Sequence, residues 1–403
     1  MEDLRQYLNS LGIPLADPNS VSSPQRSPQQ TLFPNGIPIN HSDHSIYLIQ
    51  EHIPLPKDNI DFGIPFQFQK WLGIKPPYTD LSINDFLFID VETSGSYSGA
   101  GVICFLVGVG HVNKDQMVLS QYILLHPEDE TAQLLELEKV FHSVKGIMSY
   151  NGKSFDLPLL QSRYSFHRLP NPTSDLLHID LLHLSRKIWK THSPSKTLRT
   201  IEANILGVER SIDDIPGWMI PSFYRDFLRT QDSSFLFPVL YHNKMDVVSL
   251  LILYIHLSEL FTLKIPCSSE NVDVYMQLAN FFQSIGETEL AIQTYLCCQP
   301  YLHDRDHRIT WLESLAGLLK KQKNYELAIK AWEEAANLSS LSAHLELAKF
   351  HEHIRKDYKV ALYWVELAIK LLETNQMDRF IRNKWESELK YRKERLTKKY
   401  VLD

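Results

Sequence analysis

The chain has 403 residues, room for two or three domains at about 150 residues each, and its 44% hydrophobic content is that of globular proteins. A formal net charge of −7 excludes a protein that holds nucleic acid by bulk positive charge, so any such partner must be gripped locally. No apolar run reaches the roughly 18 residues that a membrane-spanning helix needs.

Residues 1–12 place Leu4, Leu8 and Leu11 at helical spacing, without the apolar core of a signal peptide. The stretch 16–30 is rich in Pro, Ser and Gln with almost nothing to bury, so residues 1–31 read as a short helix and a flexible linker. From 32 to 83, prolines break up strand-like pieces such as Ser45–Ile49, and this reads as an N-terminal extension laid against the next domain. Cys104, Cys267, Cys297 and Cys298 are too few and too badly spaced for a disulfide framework or a zinc site, which points to a reduced, cytoplasmic protein.

Residues 84–262 carry the clearest pattern. Phe86–Val91, Val102–Val109 and Met117–Leu124 are apolar runs separated by turn residues, the signature of buried strands. Helical periodicity then covers Thr131–Val144, with a strand at Gly146–Tyr150, a helix at Asp156–Tyr164 and a strand at Leu177–Leu181. Leu184–Trp189 and Leu198–Leu206 read as helices, and a long helix runs from about Phe237 to about Leu260. Three consecutive strands and then alternating helix and strand predict an α/β mixed sheet covered by helices. Gly95, Gly99 and Gly101 match no phosphate-binding loop and read as the hairpin between the first two strands.

Beyond Pro266 the pattern is all helical and repeats. The motif Leu278-Ala279, Ala291, Tyr295 recurs at Leu315-Ala316, Ala328, Trp332 and again at Leu347-Ala348, Ala361, Val365, with 37 and 33 residues between successive alanines. This resembles tetratricopeptide repeats, in which small residues allow close helix pairing and aromatics fill the gaps. Residues 270–403 therefore read as an all-α C-terminal helical repeat domain, closed by the basic helix Met377–Tyr400. Its segment Arg379–Lys399, with nine basic residues against three acids, offers either a nucleic-acid contact or an ordinary solvated face.

The chemistry lies in the carboxylates. Asp90 and Glu92 end the first strand and share a face, about 7 Å apart along it. Forced together they repel unless a cation sits between them, and an all-oxygen site suits Mg²⁺ or Mn²⁺. A lone D-x-E is commonly a solvated pair. Here Asp156 opens a helix after a strand, and Asp246 lies in the long helix with His242 one turn before it. A neutral imidazole beside such a site can take a proton from water near pH 7.

FIDVETSG, SYNGKSFDLPLL and YHNKMDVVSL resemble, in order, the three motifs of DEDD-type 3′–5′ exonucleases with a ribonuclease-H-like fold. The closer resemblance is to the YprB-like branch, which also covers Asp180–Arg186, Leu198–Gly207 and Asp214–Tyr224. It implies that Asp90, Glu92, Asp156 and Asp246 hold two divalent cations, Mg²⁺ or Mn²⁺, and that His242 is the general base or water-orienting group. One departure concerns that base. The family's histidine subclass carries it five residues before the last aspartate and its tyrosine subclass four, whereas here Tyr241 has the histidine's position and His242 the tyrosine's. A phenol of pKa ~10 is the poorer base at neutral pH, which favours His242.

The segment 186–199 contains Arg186, Lys187, Lys190, Lys196 and Arg199 and no acid, so it can bind phosphates or be a solvated helix face. Trp189 within it is a base-stacking candidate but reads better as core. Asn151 and Lys153, before Asp156, and Thr93 and Ser94, after Glu92, are further candidates for contact with a terminal nucleotide. Asp180, a fifth acid near the sheet's end, reads as structural or as a support behind the metal-binding residues. The resulting expectation is a two-metal nuclease acting on a single-stranded 3′ end of DNA or RNA, with repeats that contact an unidentified protein. The alternatives are a structure-specific endonuclease on the same fold, or a non-catalytic adaptor in which the repeats carry the function.

Overall fold

The computed structural model describes residues 33, 36–41, 43–55, 61–76, 80–95, 101–190, 195–211, 214–374 and 378–402. The helix and linker expected over 1–31 and the tip of the hairpin at 96–100 lie outside the described residues.

A seven-stranded mixed sheet forms the centre, in the order β1-β2-β5-β4-β3-β6-β7. Strands β3 (Phe86–Thr93), β4 (Cys104–Asn113) and β5 (Gln116–Ile123) form an antiparallel meander, and β6 (Gly146–Ser149) and β7 (Leu177–Asp180) continue parallel to β3. This is the expected ribonuclease-H-like arrangement of three leading strands and then alternating helix and strand. The N-terminal extension lies against this domain by joining its sheet: strands β1 (Gly36–His41) and β2 (His44–Pro54) form a hairpin that continues the sheet antiparallel to β5. The sequence hides this because Pro38 and Pro54 interrupt the strand pattern; each sits where an edge or a strand end tolerates the missing N–H.

Strand alternation sorts β3 between two cores. Leu87, Ile89 and Val91 face one side, where α2 (Glu130–Phe141), α3 (Asp156–Phe166) and α6 (Ile220–Thr230) pack. Phe86 and Phe88 face the other side, covered by α4 (Leu181–Ile188), α5 (Leu198–Ile201) and α7 (Phe237–Phe261). Helix α6 has no clear sequence signature, because Pro216, Gly217 and Pro221 look like loop punctuation. Pro221 sits in its first turn, where no amide donor is missed. The helix expected over Leu198–Leu206 turns after Ile201 into a π-type turn, Glu202–Leu206, that ends at Gly207 with φ +64°.

Helix α7 lies close to β4 because Gly108 and Gly110 leave room for it. A Cβ on Gly108 would stand 2.1 Å from Asn243 Oδ1, and one on Gly110 would stand 2.8 Å from Val247 Cγ1. Residues two apart on a strand and four apart on a helix are both spaced by about 6–7 Å, so the two glycines and these two helix residues match in register.

The chain then becomes all helical, as antiparallel pairs α8 (Val272–Ser284) with α9 (Thr288–Cys298), α10 (Arg305–Lys321) with α11 (Tyr325–Asn337), and α12 (Leu341–Phe350) with α13 (Tyr358–Thr374). This fits helical repeats, and the repeated alanines Ala291, Ala328 and Ala361 are fully buried between helices. The closing helix α14 (Arg379–Leu402) docks through a buried Glu352 carboxylate that receives Arg392, Arg395 and Lys399 at 2.9, 2.6 and 3.0 Å. Three of the nine basic residues of this stretch thus point into the fold toward one carboxylate.

One core runs without a break from sheet to repeats. Phe261, at the end of α7, meets Phe68 of α1 (Phe66–Trp71) and Phe281 of α8, each with ring centroids 4.8 Å apart. Gln67 donates to the Phe261 carbonyl, and Lys70 pairs with Glu287. The extension therefore ties both halves together. Among the described residues, no helix is long and apolar enough to cross a membrane.

Candidate active site

Continuing the alternation that buries Phe86 and Phe88, Asp90 and Glu92 emerge on the α7 face at the C-terminal end of β3. A register shift between Glu92 and Thr93 ends the regular ladder there. Helix α7 contributes His242 and Asp246 from the same side, and α3 contributes Asp156 from its first position. The acids feel one another. Burial, then the carboxylates of Asp246 and Asp156, hold the Asp90 carboxyl well above the usual carboxylate range. Glu92 is raised by burial and then by Asp90, Asp246 and Asp156, and Asp156 is pushed up to about 7 by burial, Asp180 and Asp246. Burial also raises Asp246, against the opposing pull of Arg210 and His242.

Each carboxylate has a device that aims it. Asp90, Gly108 and Gln121 are neighbours across β3, β4 and β5. Over Gly108 lies Asn243, whose Nδ2 donates to Asp90 Oδ2 at 2.8 Å and to the Asp90 carbonyl at 3.2 Å, while its Oδ1 accepts from Gln121 Nε2 at 2.9 Å. Asp156 is placed by the turn before it. There Asn151 adopts φ +68°, and the buried Asp180 carboxylate accepts from the amides of Asn151, Lys153 and Leu182 at 2.8, 3.1 and 3.1 Å. Asp180 is thereby both the cap of α4 and the clamp of the Asp156 turn.

His242 and Tyr241, one residue apart, point to different places. His242 Nδ1 lies 2.8 Å from the buried carboxylate of Asp214, and its Nε2 lies 3.7 Å from Asp246 Oδ2. The Tyr241 hydroxyl instead accepts from the backbone amide of Ser211 at 2.9 Å. Arg210 completes this edge. Its Nε donates to Glu202 at 2.7 Å, its Nη1 lies 3.5 Å from Asp214, and its Nη2 also bonds Asp246 Oδ1. Among the described residues, no three His, Cys, Asp or Glu side chains stand as a group that could hold an ion. In kind the donors suit a hard divalent cation, being carboxylate oxygens of which Asp90, Glu92 and Asp156 are raised by their acidic neighbours, with Arg210 balancing Asp246 at one side.

The remaining sequence candidates divide. Arg186, Lys187 and Lys190 are exposed, and the Lys196 carbonyl accepts from Tyr150 at 2.6 Å, which ties the basic segment beside the Asn151 turn. Arg199 lies 3.5 Å from Asp214 with its side chain 60% exposed. Trp189 is 2% exposed and packed in the core, so it offers no ring to a base. The Thr93 hydroxyl donates to the Gly95 carbonyl and Ser94 Oγ accepts from Ile103, contacts that shape the hairpin. The Asn151 and Lys153 side chains stand at the surface of their turn, while their amides serve Asp180.

A family model described as RNase_H superfamily matches residues 87–258. The uncharacterized protein YprB of Bacillus subtilis (strain 168) is 34% identical over 296 residues, covering 71% of this chain and 69% of YprB. The chain belongs to the YprB-like family of the RNase H superfamily. Membership makes the sheet and its helices a nuclease-type domain, and the matched span includes Asp90, Glu92, Asp156, His242 and Asp246. A family B DNA polymerase from the archaeon Pyrobaculum calidifontis is similar over 59% of this chain and 29% of its own, at 15% identity and a TM-score of 0.35.

Sequence reasoning misses the part that four residues play in the site: Arg210, Asp214, Asn243 and Gln121. The tripeptide His242-Asn243-Lys244 carries a signal for Asn243. A polar side chain between apolar Val239 and Val247 on the sheet face of a helix must find a buried partner.

Proposed function

We propose that the protein is a divalent-metal-dependent phosphodiesterase that removes nucleotides from the 3′ end of DNA or RNA as a DEDD-type exonuclease. What carries this reading is the gathering of Asp90, Glu92, Asp156 and Asp246 around the C-terminal end of β3, where burial raises all four pKa values and neighbouring carboxylates raise Asp90, Glu92 and Asp156 further. A scaffold has no use for such mutually repelling acids. Asp90, Glu92, Asp156 and Asp246 would hold Mg²⁺ or Mn²⁺, which when bound lowers the pKa of water and neutralises charge on the phosphate.

The chain's own groups supply the rest. His242 is the proton acceptor: Asp214 at Nδ1 fixes the tautomer that presents an unprotonated Nε2 toward Asp246. Tyr241 is tied to Ser211 and is the weaker candidate. Asn243 and Asp180 hold Asp90 and the Asp156 turn still, so that the carboxylates need no reorganisation on binding. Arg186, Lys187, Lys190, Lys196 and Arg199, with Asn151, Lys153, Thr93 and Ser94, are the proposed contacts to the strand. The helical repeats, read as tetratricopeptide-like, would hold a protein partner. The four free cysteines fit a reducing, cytoplasmic setting.

The test is a nuclease assay on 3′- and 5′-labelled single- and double-stranded DNA and RNA with Mg²⁺ or Mn²⁺. Mononucleotide release from the 3′ end, abolished in Asp90→Asn and Asp246→Asn, is expected. Internal cuts would move the reading to an endonuclease, and activity that survives both substitutions or needs no metal would refute it.

A further inference from the structure

A large aromatic side chain stands in water at the rim of the site. All seven tryptophans lie among the described residues, and Trp218 alone is exposed, at 77%. Its place is set by the segment that aims His242. Asp214 bonds His242 Nδ1 at 2.8 Å, and three residues further on a Cβ on Gly217 would stand 3.7 Å from His242 Nε2. The backbone leading into Trp218 therefore lies against the same imidazole nitrogen that stands 3.7 Å from Asp246 Oδ2. The turn Gly217–Met219 is held on both sides. Pro216 precedes it at φ −62°, the Met219 amide donates to the Pro216 carbonyl at 2.8 Å, and Ser222 Oγ donates to the Met219 carbonyl at 2.6 Å. Ile220, directly after it, is buried in the core. Arg199, largely exposed, lies 3.5 Å from the other oxygen of Asp214, so a cation and an aromatic share this rim.

We infer that Trp218 is a base-stacking platform: its ring takes the face of an unpaired base next to the phosphate that is cut, while Arg199 takes a backbone phosphate of the same strand. An indole offers a broad apolar face, and leaving it in water is costly unless a flat partner covers it. The turn is already ordered, so stacking costs little further conformational entropy. Every base has a π-face, so such a platform tolerates any sequence. It discriminates by strandedness instead, because a base within a duplex has its faces covered by its neighbours. Trp218 thereby fills the role that the buried Trp189 cannot, and the substrate class it selects is a single strand with unpaired terminal bases. This inference rests on the reading of the site as one that takes a nucleic-acid strand.

Fluorescence anisotropy of labelled single-stranded oligonucleotides of deoxythymidine or uridine tests it, with Mg²⁺ present and Asp90→Asn in every protein so that the strand is not consumed. Each strand is also made without bases at its two 3′-terminal residues. With Trp218 intact, loss of those bases should weaken binding about tenfold. Trp218→Ala should weaken binding of the intact strand by about the same factor and bind both strands alike, with an unchanged melting curve. Trp218→Phe, which keeps a ring, should restore most of the difference. Trp218→Leu, apolar but without a ring, should behave as alanine does and decides the matter should the alanine variant not fold. A loss that is equal on both strands, or discrimination that persists without the ring, overturns the inference and gives Trp218 to a different partner such as a protein. Absence of binding to every strand with Trp218 intact would remove the nucleic-acid reading of the site itself, and this inference with it.

Discussion

The side-chain amide of Asn243 grips Asp90 at two points, the carboxylate at 2.8 Å and the carbonyl at 3.2 Å, while its oxygen accepts from Gln121. A helix residue thereby fixes the direction of a strand carboxylate, across a gap that Gly108 keeps open. Asn243→Ala would take the amide donor from the buried Asp90 carboxylate and leave Gln121 only the Leu240 carbonyl, at a cost of about 1–3 kcal/mol. We expect a lower urea midpoint and at least a tenfold loss of nuclease rate. Gly108→Ala should cost a similar ~1–3 kcal/mol by overpacking, since its methyl would meet Asn243 Oδ1. Unchanged midpoints in both variants would show that α7 does not rest on β4 in this way.

The split between adjacent residues makes a kinetic prediction. His242→Ala should lose on the order of 10²–10⁴ in kcat, the usual contribution of a positioned general base. Tyr241→Phe removes only a hydroxyl that accepts from Ser211 and should retain activity within a fewfold. The reverse order would move the proton acceptor to Tyr241.

The metal-free protein should grow less stable as pH rises. Asp156 has its pKa raised from 3.8 to about 7 in the fold, and Asp90, Glu92 and Asp246 shift in the same direction. The folded state then holds more protons than the unfolded state between those values, so stability is fully present below about pH 4 for these groups and is lost through about pH 7. In EDTA, the melting temperature relative to Asp156→Asn should fall between pH 5 and pH 8. Mn²⁺ at pH 8 should restore it by binding the native state. A difference between wild type and variant that does not vary with pH would mean that these carboxyls titrate normally.

Glu352→Gln should detach the closing helix. It leaves Arg392, Arg395 and Lys399 converging on a neutral amide, and because Arg395 and Lys399 are partly solvated the loss is about 1–3 kcal/mol. Limited proteolysis should cut within residues 379–402 far faster than in wild type, while nuclease activity remains.

The parts of the fold that obey a period are legible in the sequence. Phe86–Val91 announces a strand by its apolar run, and Ala291, Ala328 and Ala361 announce stacked helices by their recurrence. Asp90, Glu92, Asp156 and Asp246 stand out because ionisable side chains interrupt apolar segments. What stays hidden depends on long-range pairing. Pro38 and Pro54 mask the edge hairpin, and Pro216 and Pro221 mask α6, because local stiffness looks the same in a loop and at an element's end. Arg210 and Asp214 lie in irregular chain between Gly207 and α6, where no period exists to mark which side is buried. Their partners, Glu202 and Asp246, are 8 and 36 residues from Arg210.

Helix α7 carries Asp246 in its first half and Phe261 at its C-terminal end, and Phe261 is locked between Phe68 and Phe281. The fifteen helical rises from one to the other span roughly 22 Å. If the repeats hold a partner, as proposed above, they would present it to the carboxylates at a set reach and bearing, as work is clamped to the bed of a lathe. Lengthening the helix by one turn would preserve both the clamp and the cutting edge and yet misalign them.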